Sequence, residues 1–307
     1  MTAIDGAGQL PSRTIGFVGL GNMGEPMVRR LATAGHTVRA FDVATQARDR
    51  LADTLGVSIT KTAADVAAGA DIVILMLPDS NVVEQVLLTD GLLDRVTPPT
   101  VVVDMSSSEP ARTRALAERA AHSGVTLIDA PVSGGVIGAR SGSLTIMTGG
   151  SPEALTAVRP VLEVLGTKVV HAGDIPGAGH AIKALNNLMS AAHLLVSSEA
   201  ILAGEAFGLD PQVMLDIVNT SSGKNWSTEL KWPLYILPAA YNSGFSMQFM
   251  VKDITIALGL AEAAGIPAPG TRAVVQAWST ATHEMPPGAD HTEIARWLQQ
   301  NRDERWH

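Results

Sequence analysis

The chain has 307 residues, more than one ordinary domain of about 100–200 residues takes, so two domains are expected. Hydrophobic residues make up 46% and charged residues 17%, with 29 glycines and 17 prolines spread along the chain, which excludes disordered, collagen-like and low-complexity classes. A formal charge of −8 argues against nucleic acid or an anionic membrane surface as partner, and the lack of cysteine excludes disulfides, thiolate metal sites and a cysteine nucleophile.

Met1 to Pro11 is small and polar, with no basic cluster ahead of an apolar run, so residues 1–13 read as the loose tail of a cytoplasmic protein. No stretch reaches the ~18 apolar residues that span a bilayer, and no membrane role is expected. From Thr14 to about His171 short apolar runs alternate with Ala-rich helical patterns. The strand-like runs are Ile15–Val18, Val38–Phe41, Ile72–Met76, Val101–Val103, Thr126–Ile128 and Leu144–Met147. Such alternation implies an α/β domain over 14–174 with a mostly parallel sheet and crossover helices. After Gly173 the strand signal stops. Ile182, Leu185, Met189, Ala192 and Val196 recur at helical spacing, which predicts a long helix over about 177–207. Residues 175–307 then read as an all-α domain. Pro211 suits a helix start, while Pro267, Pro269, Pro286 and Pro287 read as breaks. All five tryptophans and both tyrosines fall in this second part.

Gly19, Gly21 and Gly24 form G-x-G-x-x-G directly after the first apolar strand and ahead of a helical pattern. The first glycine permits a tight turn, the second lets backbone approach a pyrophosphate, and the third allows close helix packing, with the helix N-terminus facing the anion. The second strand ends at Asp42, 18 residues past Gly24, where a ribose-binding carboxylate is expected. A carboxylate there accepts from the ribose hydroxyls and repels a 2′-phosphate, so NAD is favoured over NADP.

Three further segments join this one: Asp104-Met-Ser-Ser-Ser-Glu-Pro110, Asp129-Ala-Pro-Val-Ser-Gly-Gly135 with the continuation to Gly150, and Gly177-Ala-Gly-His-Ala-Ile-Lys-Ala-Leu-Asn-Asn187. Together with Gly16–Met27 they resemble the signatures of the β-hydroxyacid dehydrogenase family, which includes 3-hydroxyisobutyrate, tartronate semialdehyde, L-threonate and γ-hydroxybutyrate enzymes. The resemblance runs from about Thr14 to Trp297. It implies an N-terminal Rossmann-type domain, an all-α C-terminal domain, NAD(P)-linked oxidation of a β-hydroxy acid or the reverse, and a homodimer or homotetramer. It also places Asn22, Met23, Leu77 and Pro78 at the cofactor with the three glycines and Asp42.

Oxidation of a hydroxyl needs a proton acceptor, and no metal-ligand cluster is available to acidify the alcohol instead. The family's catalytic lysine and its partner asparagine map onto Lys183 and Asn187, four residues apart and therefore on one helix face. On its own, Lys183 reads equally well as a lysine with its stem on apolar surface and its amine in water. Gly177 and Gly179 would let the helix start approach the cofactor, or mark a plain helix boundary.

Ser133, Gly134 and Gly135 match the family's loop for the substrate carboxylate, and they supply a hydroxyl and accessible N–H groups. Ser107 stands where relatives often carry threonine and keeps a hydroxyl for the nicotinamide or the substrate. Lys252, in Phe249-Met-Val-Lys-Asp253, matches a Lys-Asp pair assigned to substrate and cofactor; a surface ion pair is its plain alternative. His36 reads as part of a helix cap, and Trp226 as pocket lining, helical core or subunit contact. The histidines show no zinc spacing, so no metal is expected. Two other readings stay open: a semialdehyde reductase of the tartronate semialdehyde or γ-hydroxybutyrate type, and a dinucleotide-binding protein without catalysis.

Overall fold

The computed structural model describes residues 11–301. Most of the expected N-terminal tail and Trp306 lie outside the described residues. The tail's last two residues are held: the Ser12 hydroxyl donates to the Gly35 carbonyl at 2.9 Å, and Arg13 lies 3.5 Å from Asp71.

Among the described residues nine strands build one sheet: β1 (Thr14–Val18), β2 (Thr37–Phe41), β3 (Val57–Ile59), β4 (Ile72–Leu75), β5 (Val101–Asp104), β6 (Thr126–Asp129), β7 (Val132–Ser133), β8 (Thr145–Gly149) and β9 (Lys168–Gly173). Their order is β3-β2-β1-β4-β5-β6-β8-β7, with β9 also on β8. The first six are parallel; β8 runs antiparallel to β6 and β7 and parallel to β9. This is a Rossmann-type sheet, with its order reversing at β1 and β4.

The central strands are apolar throughout because both faces are covered. Ile72 and Ile74 of β4 feed one core with Ile15, Phe17, Met27 and Leu31, while Val73 and Leu75 feed the opposite core with Val66, Val83 and Leu116. That split is the two-residue period of a strand. Six strands fall where apolar runs predict them. β3 and β7 have only three and two residues, and β9 mixes Lys168 and His171 among its valines, so none carries a readable run.

Helix Gly24–Thr33 follows β1 and ends as expected of a glycine cap. Gly35 takes φ +91, its N–H donates to Ala32, and that of His36 donates to Leu31, the paired bonds of a Schellman stop. The chain divides into two units, the first ending at Ile182 and the second beginning at Lys183. That division falls inside the long helix Ala178–Phe207, whose first turn is bonded to β6 as described below.

The second unit is helical. Helices Pro211–Val218, Met247–Ala263 and Pro269–Glu284 join the long helix and a π-helical segment, Ser227–Ile236, around Trp232, Trp278, Leu194, Met250 and Ile254. Asp210 caps the helix that Pro211 opens, accepting from Val213 N–H at 3.0 Å. Pro269, expected as a break, instead opens a helix, since its fixed φ suits the first position and its missing N–H costs nothing there.

Candidate functional site

In the sheet unit the order reversal puts the glycine turn after β1 beside the end of β4, where such sheets hold ligands. Gly19 has φ +102, and a Cβ there would run into the carbonyl of Met76; a Cβ on Gly24 would strike the carbonyl of Gly19. Gly21 is exposed with open space around it, and Asn22 and Met23 follow on the turn. The turn is thus pressed against protein on one side and open on the other. That is the cradle a pyrophosphate needs, with the unpaired N–H groups of the helix start supplying donors. Asp42 is half-buried at the end of β2. One carboxylate oxygen accepts from Leu20 N–H at 2.7 Å and the other from Ala44 N–H at 2.8 Å. The carboxylate therefore fixes the glycine turn as well as standing where ribose is expected. The residues fit a dinucleotide.

Leu77 and Pro78 follow β4, and Leu77 N–H donates to the Ser106 hydroxyl at 2.9 Å. Asp104 accepts from Ser106 N–H and from the Ser108 hydroxyl, both at 3.0 Å, and so folds the turn that presents half-buried Ser107. Ser133 ends β7 opposite Thr145, and Gly134 (φ +124) and Gly135 (φ +60) are exposed in a conformation open chiefly to glycine.

The start of the long helix is anchored by a buried network that joins the motif segments through side chains to which the sequence assigns no role. Asp129 accepts from Gly177 N–H at 2.6 Å and from His180 N–H at 2.7 Å. The His180 ring bonds the Thr113 hydroxyl at 2.9 Å and the Ser106 carbonyl at 3.0 Å. Added Cβ atoms at Gly149 and Gly179 would crowd the Asp129 carboxylate, and one at Gly177 would press on the Pro110 carbonyl. Close packing within the sheet unit accounts for Gly177 and Gly179.

In the helical unit, Asn187 is buried and donates to Asp253 Oδ2 at 2.6 Å; Asn186 donates to the Asn187 amide oxygen at 3.2 Å. Asp253 is 2% exposed, its other oxygen lies 3.6 Å from the Lys252 amine, and that amine sits 5.6 Å from the centre of the Phe249 ring. Burial holds the Lys183 ammonium below the ordinary lysine range, with Asp253 opposing that shift and Lys252 adding to it. Lys183, Asn187, Lys252 and Asp253 thus form one electrostatic group.

A buried amine, Lys231, lies in no motif. It stands on the π-helical segment, donates to the Ser190 hydroxyl at 2.9 Å, and is pushed down to about 8 by burial. His36 is buried behind its cap, accepts from Arg13 N–H at 3.3 Å, and is pushed down by burial, which suits a structural group. Trp226 is 62% exposed, so it is not core of the helical unit. Among the described residues no group of side chains is arranged to hold a metal, and no helix is long and apolar enough to cross a membrane.

A glycine turn at the reversal point of a parallel sheet, tied to an acidic second strand, defines a dinucleotide-binding protein. Residues 14–173 match the family model of the NAD binding domain of 6-phosphogluconate dehydrogenase, and residues 177–298 match that of NAD-binding of NADP-dependent 3-hydroxyisobutyrate dehydrogenase. The chain is 40% identical over 264 residues to NAD-dependent L-serine dehydrogenase of Pseudomonas aeruginosa, covering 84% of this chain and 88% of that one. It is 38% identical over 263 residues to 2-(hydroxymethyl)glutarate dehydrogenase of Eubacterium barkeri, covering 85% and 87%. The solved structure of Mycobacterium tuberculosis 3-hydroxyisobutyrate dehydrogenase with L-serine superposes with a TM-score of 0.87 at 33% identity, covering 94% of this chain and 99% of that one. The chain belongs to the β-hydroxyacid dehydrogenase family. It is an NAD-dependent dehydrogenase acting on CH–OH groups.

Proposed function

We propose that the enzyme interconverts a 3-hydroxypropanoate-type acid and its semialdehyde, with Lys183 accepting and returning the hydroxyl proton. The observation that carries this reading is Lys183 itself: burial disfavours its charge, and it shares a helix face with Asn187, whose amide is fixed on the buried Asp253 carboxylate. An amine that loses its proton readily is a competent base near neutral pH, and the same group returns the proton in reverse. NAD, when bound, supplies the hydride acceptor.

Asn187 positions the hydroxyl oxygen, since its Nδ2 is committed to Asp253 through one N–H and keeps a second. Ser133 with the N–H groups of Gly134 and Gly135 holds the substrate carboxylate, and Ser107 and Lys252 contact the reacting end. Asp42 sets the preference for NAD. The relatives named above act on L-serine, 2-(hydroxymethyl)glutarate and 3-hydroxyisobutyrate. All three acids share a 3-hydroxypropanoate core and differ in the C2 substituent, which is ammonium, carboxyethyl or methyl. Absorbance of NADH formed from these three acids, with NADP in parallel, tests the reading. Turnover of at least one with NAD is expected, and none with either cofactor would remove it.

The same reading includes a homodimer or homotetramer. Ile182, Leu185, Met189 and Val196 form an exposed apolar row along the long helix, supporting a subunit contact. Sedimentation at micromolar concentration should show a multiple of 32.0 kDa, and a lone monomer would contradict it.

A further inference from the structure

Lys231 is a buried charged group that the proton-transfer scheme does not use. Its residue is only 7% exposed, yet the Ser190 hydroxyl is the one hydrogen-bond partner its amine has among the described residues. An ammonium carries three donors, and leaving them unpaired in a buried setting is costly. Asp290, the carboxylate whose charge acts on this amine, is already committed to other donors. Asp290 accepts from the Ser243 hydroxyl at 2.8 Å, Gly244 N–H at 2.8 Å, Thr292 N–H at 2.9 Å and the Thr292 hydroxyl at 2.6 Å, and it makes no ion pair with Lys231 among the described residues. The other charged or titratable groups acting on Lys231 or responding to it are Lys183, which repels it, and His291, which burial keeps neutral.

Position supplies the rest. Lys183, Asn187 and Ser190 stand at i, i+4 and i+7 of one helix and share a face. The hydroxyl that fixes the Lys231 amine is therefore about one helical turn, ~5 Å of rise, beyond Asn187. The amine itself comes from a π-helical segment containing Pro233, and such segments occur frequently at functional sites.

We propose that Lys231 is a specificity-determining residue that selects hydroxy acids bearing a second anionic group on C2, a carboxyalkyl arm above all, and disfavours those bearing an ammonium there. The proposal rests on the reading that places the substrate hydroxyl at Lys183 and Asn187. A carboxyethyl arm is about as long as one helical turn, ~5 Å, matching the spacing from Asn187 to Ser190. The arm's carboxylate would satisfy the donors that Asp290 leaves unpaired. A methyl group gains nothing from the amine, and the ammonium of L-serine is repelled by it.

The test is the ratio of kcat/KM for 2-(hydroxymethyl)glutarate to that for 3-hydroxyisobutyrate, in the unmodified enzyme, Lys231→Met and Lys231→Arg. A ratio of at least tenfold is expected, with L-serine the poorest of the three. Lys231→Met should reduce the ratio at least tenfold and Lys231→Arg should retain most of it. Because both acids meet the same proton acceptor, a ratio is insensitive to errors in the Lys183 assignment, which Lys183→Ala tests separately through turnover. Titration of glutarate and butyrate onto the NAD complex gives the same comparison without turnover: glutarate should bind at least tenfold more tightly, and the advantage should vanish in Lys231→Met. In the unmodified enzyme the advantage should also decline as pH rises through about 8, where burial places loss of the Lys231 proton. A ratio unchanged within twofold in Lys231→Met, a preference for L-serine, or equal binding of glutarate and butyrate would each overturn the proposal.

Discussion

On the reading proposed above, the two units serve function in opposite ways. In the sheet unit the functional surface is backbone: Gly19, Gly21, Gly24, Gly134 and Gly135 contribute by having no side chain, and Asp42 and Asp104 are spent largely on holding backbone N–H groups in place. In the helical unit the proposed functional surface is side chain and charge: buried Asn187 and Asp253 stand with half-buried Lys183 and Lys252 within a few helical turns, and Lys231 is buried on a separate segment. The first design fails when atoms are added, and the second fails when charge is removed.

The largest expected effect follows from the second design. Lys183→Ala should lower kcat by about 10²–10⁴-fold while the Kd for NAD changes by less than about threefold, because the dinucleotide cradle lies in residues the substitution leaves alone. Steady-state kinetics and equilibrium titration of NAD separate the two. Comparable losses in both would break the contrast between the units.

Gly19→Ala attacks the first design. The new Cβ meets the Met76 carbonyl and the backbone holds φ +102, so strain of about 1–3 kcal/mol should weaken NAD binding about 10–100-fold. Calorimetric titration of NAD checks it, and an unchanged Kd would show that the turn is not the cradle. Asp253→Asn should then lower kcat about tenfold, since Asn187 loses a charge-assisted partner worth about 1.5–3 kcal/mol, part of which a neutral amide recovers. Of similar size, Asp42→Asn should raise the efficiency with NADP relative to NAD by about tenfold, because the side-chain oxygen can still accept from Leu20 while the negative charge is gone. A preference for NADP in the unmodified enzyme would contradict that role.

The same contrast explains what the sequence disclosed. The glycine turn, β1, β2 and Asp42 are legible because a turn and its flanking strands are local, and their spacing is set by geometry within about 30 residues. Short β3 and β7 were not legible, since two or three residues hold no period; pairing with longer neighbours makes them strands. Asp129 reads as a strand-end acid, yet its partners Gly177 and His180 lie about 50 positions away and no pattern links them. Lys183 and Asn187 stand out in the sequence only through the family resemblance, because a lysine on a helix face has no intrinsic mark of function. Lys231 carries no mark for the same reason: in Glu229-Leu-Lys-Trp232 it reads as an ordinary helical lysine, and only tertiary burial against Ser190 distinguishes it. Pro269 shows the converse, a breaker in the interior of a helix that is welcome at its first turn.

The central claim is that a lysine whose charge burial disfavours exchanges the substrate proton. The pH dependence of kcat/KM for hydroxy-acid oxidation, measured in the unmodified enzyme and in Lys183→Ala, tests it most directly. The base must be neutral to accept the proton, so oxidation should rise with pH through an apparent pKa below the ordinary lysine value of about 10.4, the direction in which burial moves Lys183. That limb should disappear or move in Lys183→Ala. The same limb in both enzymes, with turnover preserved, would contradict the assignment and move the proton acceptor to another group.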